Sequence, residues 1–124
     1  MSFPSPASDY AEKKLSLDDL CGTNAPYVYL IRAQLESQVE MIMAGAVLVV
    51  NSVIKPKDGS IITASIDGEF RLVRFRNVPT LHLEGLDTPG RPLPYSNAEL
   101  AALGDDLCFG VVTHVLNDLR SSDK

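Results

Sequence analysis

The chain has 124 residues, of which 45% are hydrophobic and 22% charged, and its formal net charge is −5 at pH 7. These values are typical of one globular domain with a buried core and argue against a disordered or fibrous protein. The acidic balance argues against direct binding of nucleic acid, because that binding depends on clustered lysine and arginine. Two cysteines permit at most one disulfide bond, so we expect a reducing, cytoplasmic setting. The longest apolar run, residues 41–50, is about half as long as a membrane-spanning helix.

The chain divides into three parts by composition. Residues 1–26 are predicted to form an extended amino-terminal arm, because prolines interrupt its start and a Gly-Thr-Asn-Ala-Pro break ends it. Within this arm, the charged stretch 9–20 fits either a short helix or a loop. Residues 27–120 are predicted to form one domain, and residues 121–124 a polar tail.

The domain is predicted to be mainly β. Six short runs are rich in β-branched and aromatic residues, as strands are; they cover 27–31, 48–52, 61–66, 69–76, 80–83 and 109–116. An Asp-Gly pair between the third and fourth runs is a strong hairpin signal. With little predicted helix, we expect a small barrel-like or sandwich arrangement. The apolar stretch 40–47 is predicted to be a helix or strand packed on the core.

Residues that could bind a metal ion are few. His82, His114, Cys21 and Cys108 match no known spacing of metal ligands, and the chain has no glycine-rich phosphate loop. We therefore expect no metal and no cofactor.

Several motifs occur in a characteristic order along the chain. They are Phe-Pro-Ser-Pro-Ala with Asp-Tyr at 3–10, Asp-Gly-Glu-Phe at 67–70, and Phe-Gly-Val-Val-Thr-His-Val at 109–115. Taken together, this order resembles the UmuD branch of the LexA-type self-cleaving proteins, from Phe3 to about Leu116. The resemblance implies the curved, mostly β domain of that family.

The resemblance also implies where catalysis would take place. In that family, a serine in a Gly-Asp-Ser-Met motif attacks a peptide bond, and a neutral lysine after the Gly-Glu-Phe hairpin removes its proton. Here the motif reads Leu-Glu-Ser-Gln around Ser37, and Val73 stands where the family has its lysine. Valine cannot accept a proton, and the neighbouring Arg74 stays protonated. Lys55 and Lys57 lie in a turn, where a lysine is solvated and charged.

We therefore expect Ser37 to be a vestigial nucleophile and the protein to be a pseudo-peptidase. A missing general base costs roughly 10²–10⁴ in rate. In the family, cleavage occurs just before the Phe-Pro-Ser-Pro segment, with which this chain nearly begins. We expect the chain to correspond to the processed product. Its Cys21-Gly22 pair resembles a cleavage site, but it precedes a predicted strand and is expected to form a turn.

The function implied by the resemblance is that of a non-catalytic accessory subunit in SOS-response translesion DNA synthesis. It would act as a homodimer with a Y-family, UmuC-like polymerase subunit and would bind neither DNA nor membrane itself. The family's dimers pair through carboxy-terminal strands. These map here onto Phe109, Val111, Val112, Thr113, His114 and Val115. That strand could lie at an edge of the sheet, open to a second copy, or in its interior.

Two other functions remain open at this point. The protein could be a diverged regulator that forms mixed dimers with LexA- or UmuD-like relatives. Alternatively, it could be an active serine self-peptidase in which Ser37 uses an unexpected base.

Overall fold

The computed structural model describes residues 16–66 and 68–120, and it is mainly β, as predicted. Residues 1–15 of the predicted arm and the tail 121–124 lie outside the described residues. The strands are β1 (Val28–Arg32), β2 (Val47–Asn51), β3 (Ile61–Ile66), β4 (Glu69–Arg76), β5 (His82–Glu84) and β6 (Cys108–Leu116). The helices are α1 (Leu17–Cys21), α2 (Asn97–Leu103) and a 3₁₀ turn at Gly104–Asp106.

All six strands belong to one antiparallel sheet, with the order β1-β2-β6-β3-β4-β5. The last strand therefore lies inside the sheet, where it pairs with β2 on one side and with β3 on the other. An edge position for this strand is wrong, and the interior alternative is correct. The reason is the hydrogen-bonding demand of two separate hairpins, β1–β2 and β3–β4, whose inner edges both need a partner.

The core consists of two hydrophobic clusters on opposite faces of the sheet. The first contains Ile62, Ala64, Ile66, Val73, Leu83, Leu100, Leu107 and Val111. The second contains Ala33, Ile42, Ala46, Leu48, Val50 and Leu86. Because side chains alternate along a strand, neighbours on β6 serve different faces: Val111 packs in the first cluster and Val112 against the second.

Local sequence signals explain the ends of the elements. Gly22 is the C-cap of α1 with a φ of 67°, so the Cys21-Gly22 pair ends a short helix, and the expected turn follows only at residues 23–24. Gly68, with a φ of 79°, lies in the tight turn between β3 and β4. The start of α2 has a capping box, in which the Ser96 hydroxyl accepts from Glu99 N while the Glu99 carboxylate accepts from Ser96 N.

The prediction of a helix or strand at 40–47 is wrong for most of that stretch. Residues 37–46 form an irregular turn, and β2 begins only at Val47. Ile42 and Ala46 are buried, but the Met41 side chain is 78% exposed and its φ is 57°. The apolar composition therefore does not follow a helical or strand periodicity, and only part of it reaches the core.

Gly110 on β6 lies so close to β2 that no side chain fits. A Cβ atom there would be 2.5 Å from Val50 Cγ1 and 3.0 Å from the Asn51 carbonyl oxygen. We expect Gly110→Ala to lower the free energy of unfolding by about 1–3 kcal/mol, because β6 must move away from β2. Urea unfolding monitored by circular dichroism measures this change.

Gly85→Ala is the matched control. Its Cβ would meet mainly the Thr88 hydroxyl, which ends an exposed side chain that can rotate away. We expect this variant to lose less stability than Gly110→Ala. Equal losses would contradict the close approach of β6 to β2.

Candidate functional site

A cleft of about 770 Å³ opens beside β4. Its walls come from residues 31–37, from β4 and from residues 85–93, and most of the lining side chains are apolar. The apolar members include Ile31, Leu48, Phe70, Leu72, Val73, Leu86 and Leu93. Ser37 and Val73 both line this cleft, so the structure brings together the two positions that the sequence singled out.

Ser37 is fixed at the start of a tight turn. Its backbone N–H donates to the Ile42 carbonyl and its carbonyl accepts from Ile42 N, both at 2.8 Å. The Ser37 side chain is only 4% exposed. Its Oγ donates to Asp87 Oδ1 at 2.7 Å and accepts from Glu40 N at 3.2 Å. The single hydrogen of this hydroxyl is therefore already donated in a hydrogen bond to a carboxylate.

Asp87 is the functional residue that sequence reasoning missed. It is 50 residues from Ser37 along the chain, in a proline-rich loop, so no local pattern links the two. The same Oδ1 also accepts from Val39 N at 3.1 Å. The hydrogen bond from Ser37 is the main cause that lowers the pKa of Asp87, and the bond from Val39 N adds to it.

This lowered pKa has two consequences. Asp87 is an anion at neutral pH, and it is a poor base for the Ser37 proton because its own proton affinity is low. At pH values above the ordinary aspartate pKa, the contact between Asp87 and Ser37 stabilises the Ser37 turn. That contribution is lost as the pH falls through the lower pKa of the folded protein.

On the β4 side of the cleft, Leu72 and Val73 offer only hydrocarbon. Val73 is buried in the first core cluster, and its neighbour Leu72 packs against the second cluster, to which the Ser37 turn contributes Ile42. Neither side chain can accept the Ser37 proton. The next residue, Arg74, forms an ion pair with Glu40 and donates from Nη1 to the Gly59 carbonyl at 2.7 Å.

These contacts hold the Ser37 turn at two points. Asp87 binds it from the loop after β5, and Arg74 binds it from β4 through Glu40. In the described part of the chain, the charged residues that line the cleft are Arg32, Glu36, Arg71 and Asp87, and none is a lysine. Lys55 lines a different groove, next to α2.

The remaining candidate residues are scattered. His82 lies beside Glu84 on β5 and contacts the Thr80 carbonyl, whereas His114 contacts the neighbouring Thr113. Cys21 and Cys108 are both free thiols. Within residues 16–66 and 68–120, no group of three or more histidine, cysteine, aspartate or glutamate side chains could hold a metal ion. In the same residues, no helix is long and apolar enough to cross a membrane.

The residues expected at a dimer interface differ in how accessible they are. Val111 is buried in the first cluster, and Val112 and Val115 are partly buried against the second. Thr113 and His114 are exposed. Phe109 lies in a β-bulge, because Thr63 pairs with Gly110 while Ala64 pairs with Cys108.

The bulge directs Phe109 into an exposed aromatic cluster. Its ring centroid lies 5.3 Å from that of Tyr29 on β1 and 5.4 Å from that of Phe70 on β4. The three residues are 37%, 44% and 66% exposed, in the order Phe109, Tyr29 and Phe70. Bulges commonly re-aim a side chain in this way, and a clustered exposed apolar surface is typical of an interaction site.

Comparisons with known proteins identify the family of this chain. The sequence profile of the Peptidase S24-like family matches residues 1–104. The chain is 38% identical to Protein ImpA of Escherichia coli over 95% of its own length and 78% of that protein. It is 35% identical to Protein SamA of Salmonella typhimurium over 98% of its length and 81% of that protein. It is 32% identical to Protein MucA of Escherichia coli over 92% of its length and 76% of that protein. The chain belongs to the Peptidase S24-like family, in its UmuD-like branch.

Proposed function

We propose that this protein is a non-catalytic accessory subunit of SOS-response translesion DNA synthesis. It would act in the cytoplasm as a homodimer, bound to a Y-family, UmuC-like polymerase subunit. Membership of the UmuD-like branch supports the role in DNA-damage mutagenesis. The observation that carries the non-catalytic part is the cleft around Ser37: the serine hydroxyl donates to Asp87, and Leu72 and Val73, which line the same cleft, supply only hydrocarbon.

Serine is a weak nucleophile unless a base removes its proton as it attacks. The Asp87 carboxylate cannot replace the lysine of the family, because its pKa is lowered rather than raised toward neutrality. Arg74 cannot act either, because a guanidinium stays protonated and this one is engaged by Glu40. The site therefore retains the nucleophile without the means to activate it.

The aromatic cluster of Tyr29, Phe70 and Phe109 supports a homodimer. Rings of this size are favoured in the centres of protein interfaces, where each buries a large apolar area. A two-fold axis through one patch lets the same residues of two copies meet. Because Val111 is buried within its own subunit, we propose contact through the exposed face of β6 at Phe109, Thr113 and His114.

The net charge of −5 supports a subunit that leaves DNA contacts to its partner. Phosphate binding requires a surface of clustered lysine and arginine. Three arginines at or beside this site make contacts within the protein instead: Arg74 pairs with Glu40, Arg71 pairs with Glu69, and Arg32 donates to the Gly45 carbonyl at 2.9 Å. A polymerase subunit would then supply the contact with DNA.

Purified protein is expected not to cleave a full-length relative such as Protein ImpA, even at alkaline pH, where a solvated lysine begins to lose its proton. Gel electrophoresis with mass spectrometry measures the products over time. Cleavage that Ser37→Ala abolishes would establish an active self-peptidase and contradict the non-catalytic role.

The wild-type protein is expected to have the mass of a dimer at tens of micromolar, as measured by sedimentation equilibrium. The double variant Phe70→Ser and Phe109→Ser should weaken dimerisation at least about tenfold, because it removes two interface rings. Leu35→Ala is the control, since Leu35 is 83% exposed and is not part of the aromatic cluster. A monomeric wild type, or an equal effect of the control, would contradict this dimer.

Affinity purification from DNA-damaged cells is expected to recover a Y-family polymerase subunit. Repeating the purification with the Phe70→Ser and Phe109→Ser double variant shows whether binding of the polymerase subunit requires the dimer or also occurs with the monomer. Recovery of a LexA- or UmuD-like relative without a polymerase would instead support the regulator that forms mixed dimers.

A further inference from the structure

Building on the non-catalytic role proposed above, we propose that Asp87 is a second barrier to catalysis, independent of the missing lysine. Placing an amine beside Ser37 would not by itself provide a base, because the carboxylate that binds the serine hydroxyl would hold that amine in its charged form. The observations that carry this inference are the Ser37–Asp87 hydrogen bond and the second hydrogen bond that Asp87 accepts from Val39 N.

The distance between the two side chains sets the strength of this effect. Asp87 Oδ1 lies 2.7 Å from Ser37 Oγ. A base must come within about 3.2 Å of that Oγ to take its proton, so any amine in a working position lies within about 6 Å of the carboxylate. An opposite charge at such a distance favours the charged form of an amine.

A second hydrogen bond holds Asp87 at this position. Its Oδ1 accepts from both Ser37 Oγ and Val39 N, so the carboxylate spans the first residues of the turn. The other charges of the cleft do not share this position. Glu36, Arg32 and Arg71 line the cleft, but the hydroxyl of Ser37 donates to Asp87.

The carboxylate also competes for the proton directly. A serine hydroxyl has one hydrogen to donate, and here that hydrogen points to Asp87. A base beside Ser37 would have to draw this proton away from an anion. Burial lowers the pKa of a lysine, whereas this neighbouring anion raises it, so the two effects oppose each other.

The experiment compares an introduced lysine with and without the Asp87 charge. Val73→Lys is made alone, with Asp87→Asn and with Glu36→Gln. Asparagine keeps an oxygen that can accept from Ser37 Oγ and Val39 N but removes the charge. Glu36→Gln removes a different carboxylate from the same cleft and is the matched control. Because side chains alternate along β4, Leu72→Lys, alone and with Asp87→Asn, makes the comparison from the other face, which packs against the second cluster that contains Ile42 of the Ser37 turn.

The first measurement is the pKa of the introduced lysine, followed through its ε-carbon shift by NMR. We expect Asp87→Asn to lower this pKa by about one unit, which is the low end for an opposite charge because the Asp87 side chain is exposed to screening water. Glu36→Gln should change it by less. An unchanged pKa in both lysine positions would overturn the inference.

The second measurement is the reaction of Ser37 with a fluorophosphonate probe, followed by intact-protein and peptide mass spectrometry. In this reaction the Oγ–P bond forms, the P–F bond breaks and fluoride leaves, while the lysine amine takes the hydroxyl proton. Below the lysine pKa, the Val73→Lys, Asp87→Asn protein should react about tenfold faster than Val73→Lys alone, because one pKa unit changes the neutral fraction about tenfold. Equal rates in both the Val73→Lys and the Leu72→Lys series would overturn the inference.

The two proposals fail in different ways. Labelling of Ser37 in the unaltered protein would contradict the non-catalytic role, whereas the effect of Asp87 is measured only between paired lysine variants. Ser37→Ala in the Val73→Lys, Asp87→Asn background should abolish the labelling. Persistent labelling in that variant would show that the probe reports another residue, and it would overturn the assignment of this effect to Ser37.

Discussion

The pairing of β6 with both β2 and β3 is the constraint on which the rest of the structure depends. This strand joins the β1–β2 hairpin to the β3–β4–β5 part of the sheet. It contributes Val111 to one core cluster and packs Val112 and Val115 against the other, so each face of the sheet depends on it. Because Gly110 lies against Val50, the two halves approach more closely there than any larger residue would allow.

The strands of this fold could be predicted from the sequence, but their order could not. Runs of β-branched residues mark strands locally, and the predicted 109–116 differs from Cys108–Leu116 by one residue. Strand order depends on contacts between distant segments, which local patterns do not indicate. Residues Ser96 and Glu99 have the spacing of a capping box, so the start of α2 could have been predicted from the sequence. The apolar stretch 40–47 led to a wrong prediction, because Met41 and Met43 are exposed.

The candidate site was predictable only in part, because local patterns reveal its single residues but not the contacts between distant segments. Ser37 and Val73 follow from motifs that are contiguous in the chain, and the structure places both along one cleft. Asp87 becomes visible only when the loop after β5 folds against the Ser37 turn. A proline-rich loop between two elements carries no periodicity from which such a contact could be inferred. The ion pair between Arg74 and Glu40 likewise could not be predicted, because the two residues are distant in the chain.

The cleft and the proposed dimer surface share the side chain of Phe70. This residue lines the cleft, and its ring packs against Phe109 at a centroid distance of 5.4 Å. A cleft that collapsed would displace Phe70 and with it the aromatic cluster. Contacts that keep the Ser37 turn in place, from Asp87 and from Arg74 through Glu40, therefore also hold the wall beside that surface. Under the non-catalytic role proposed above, this gives a physical reason for the cleft to keep its shape without being used for cleavage.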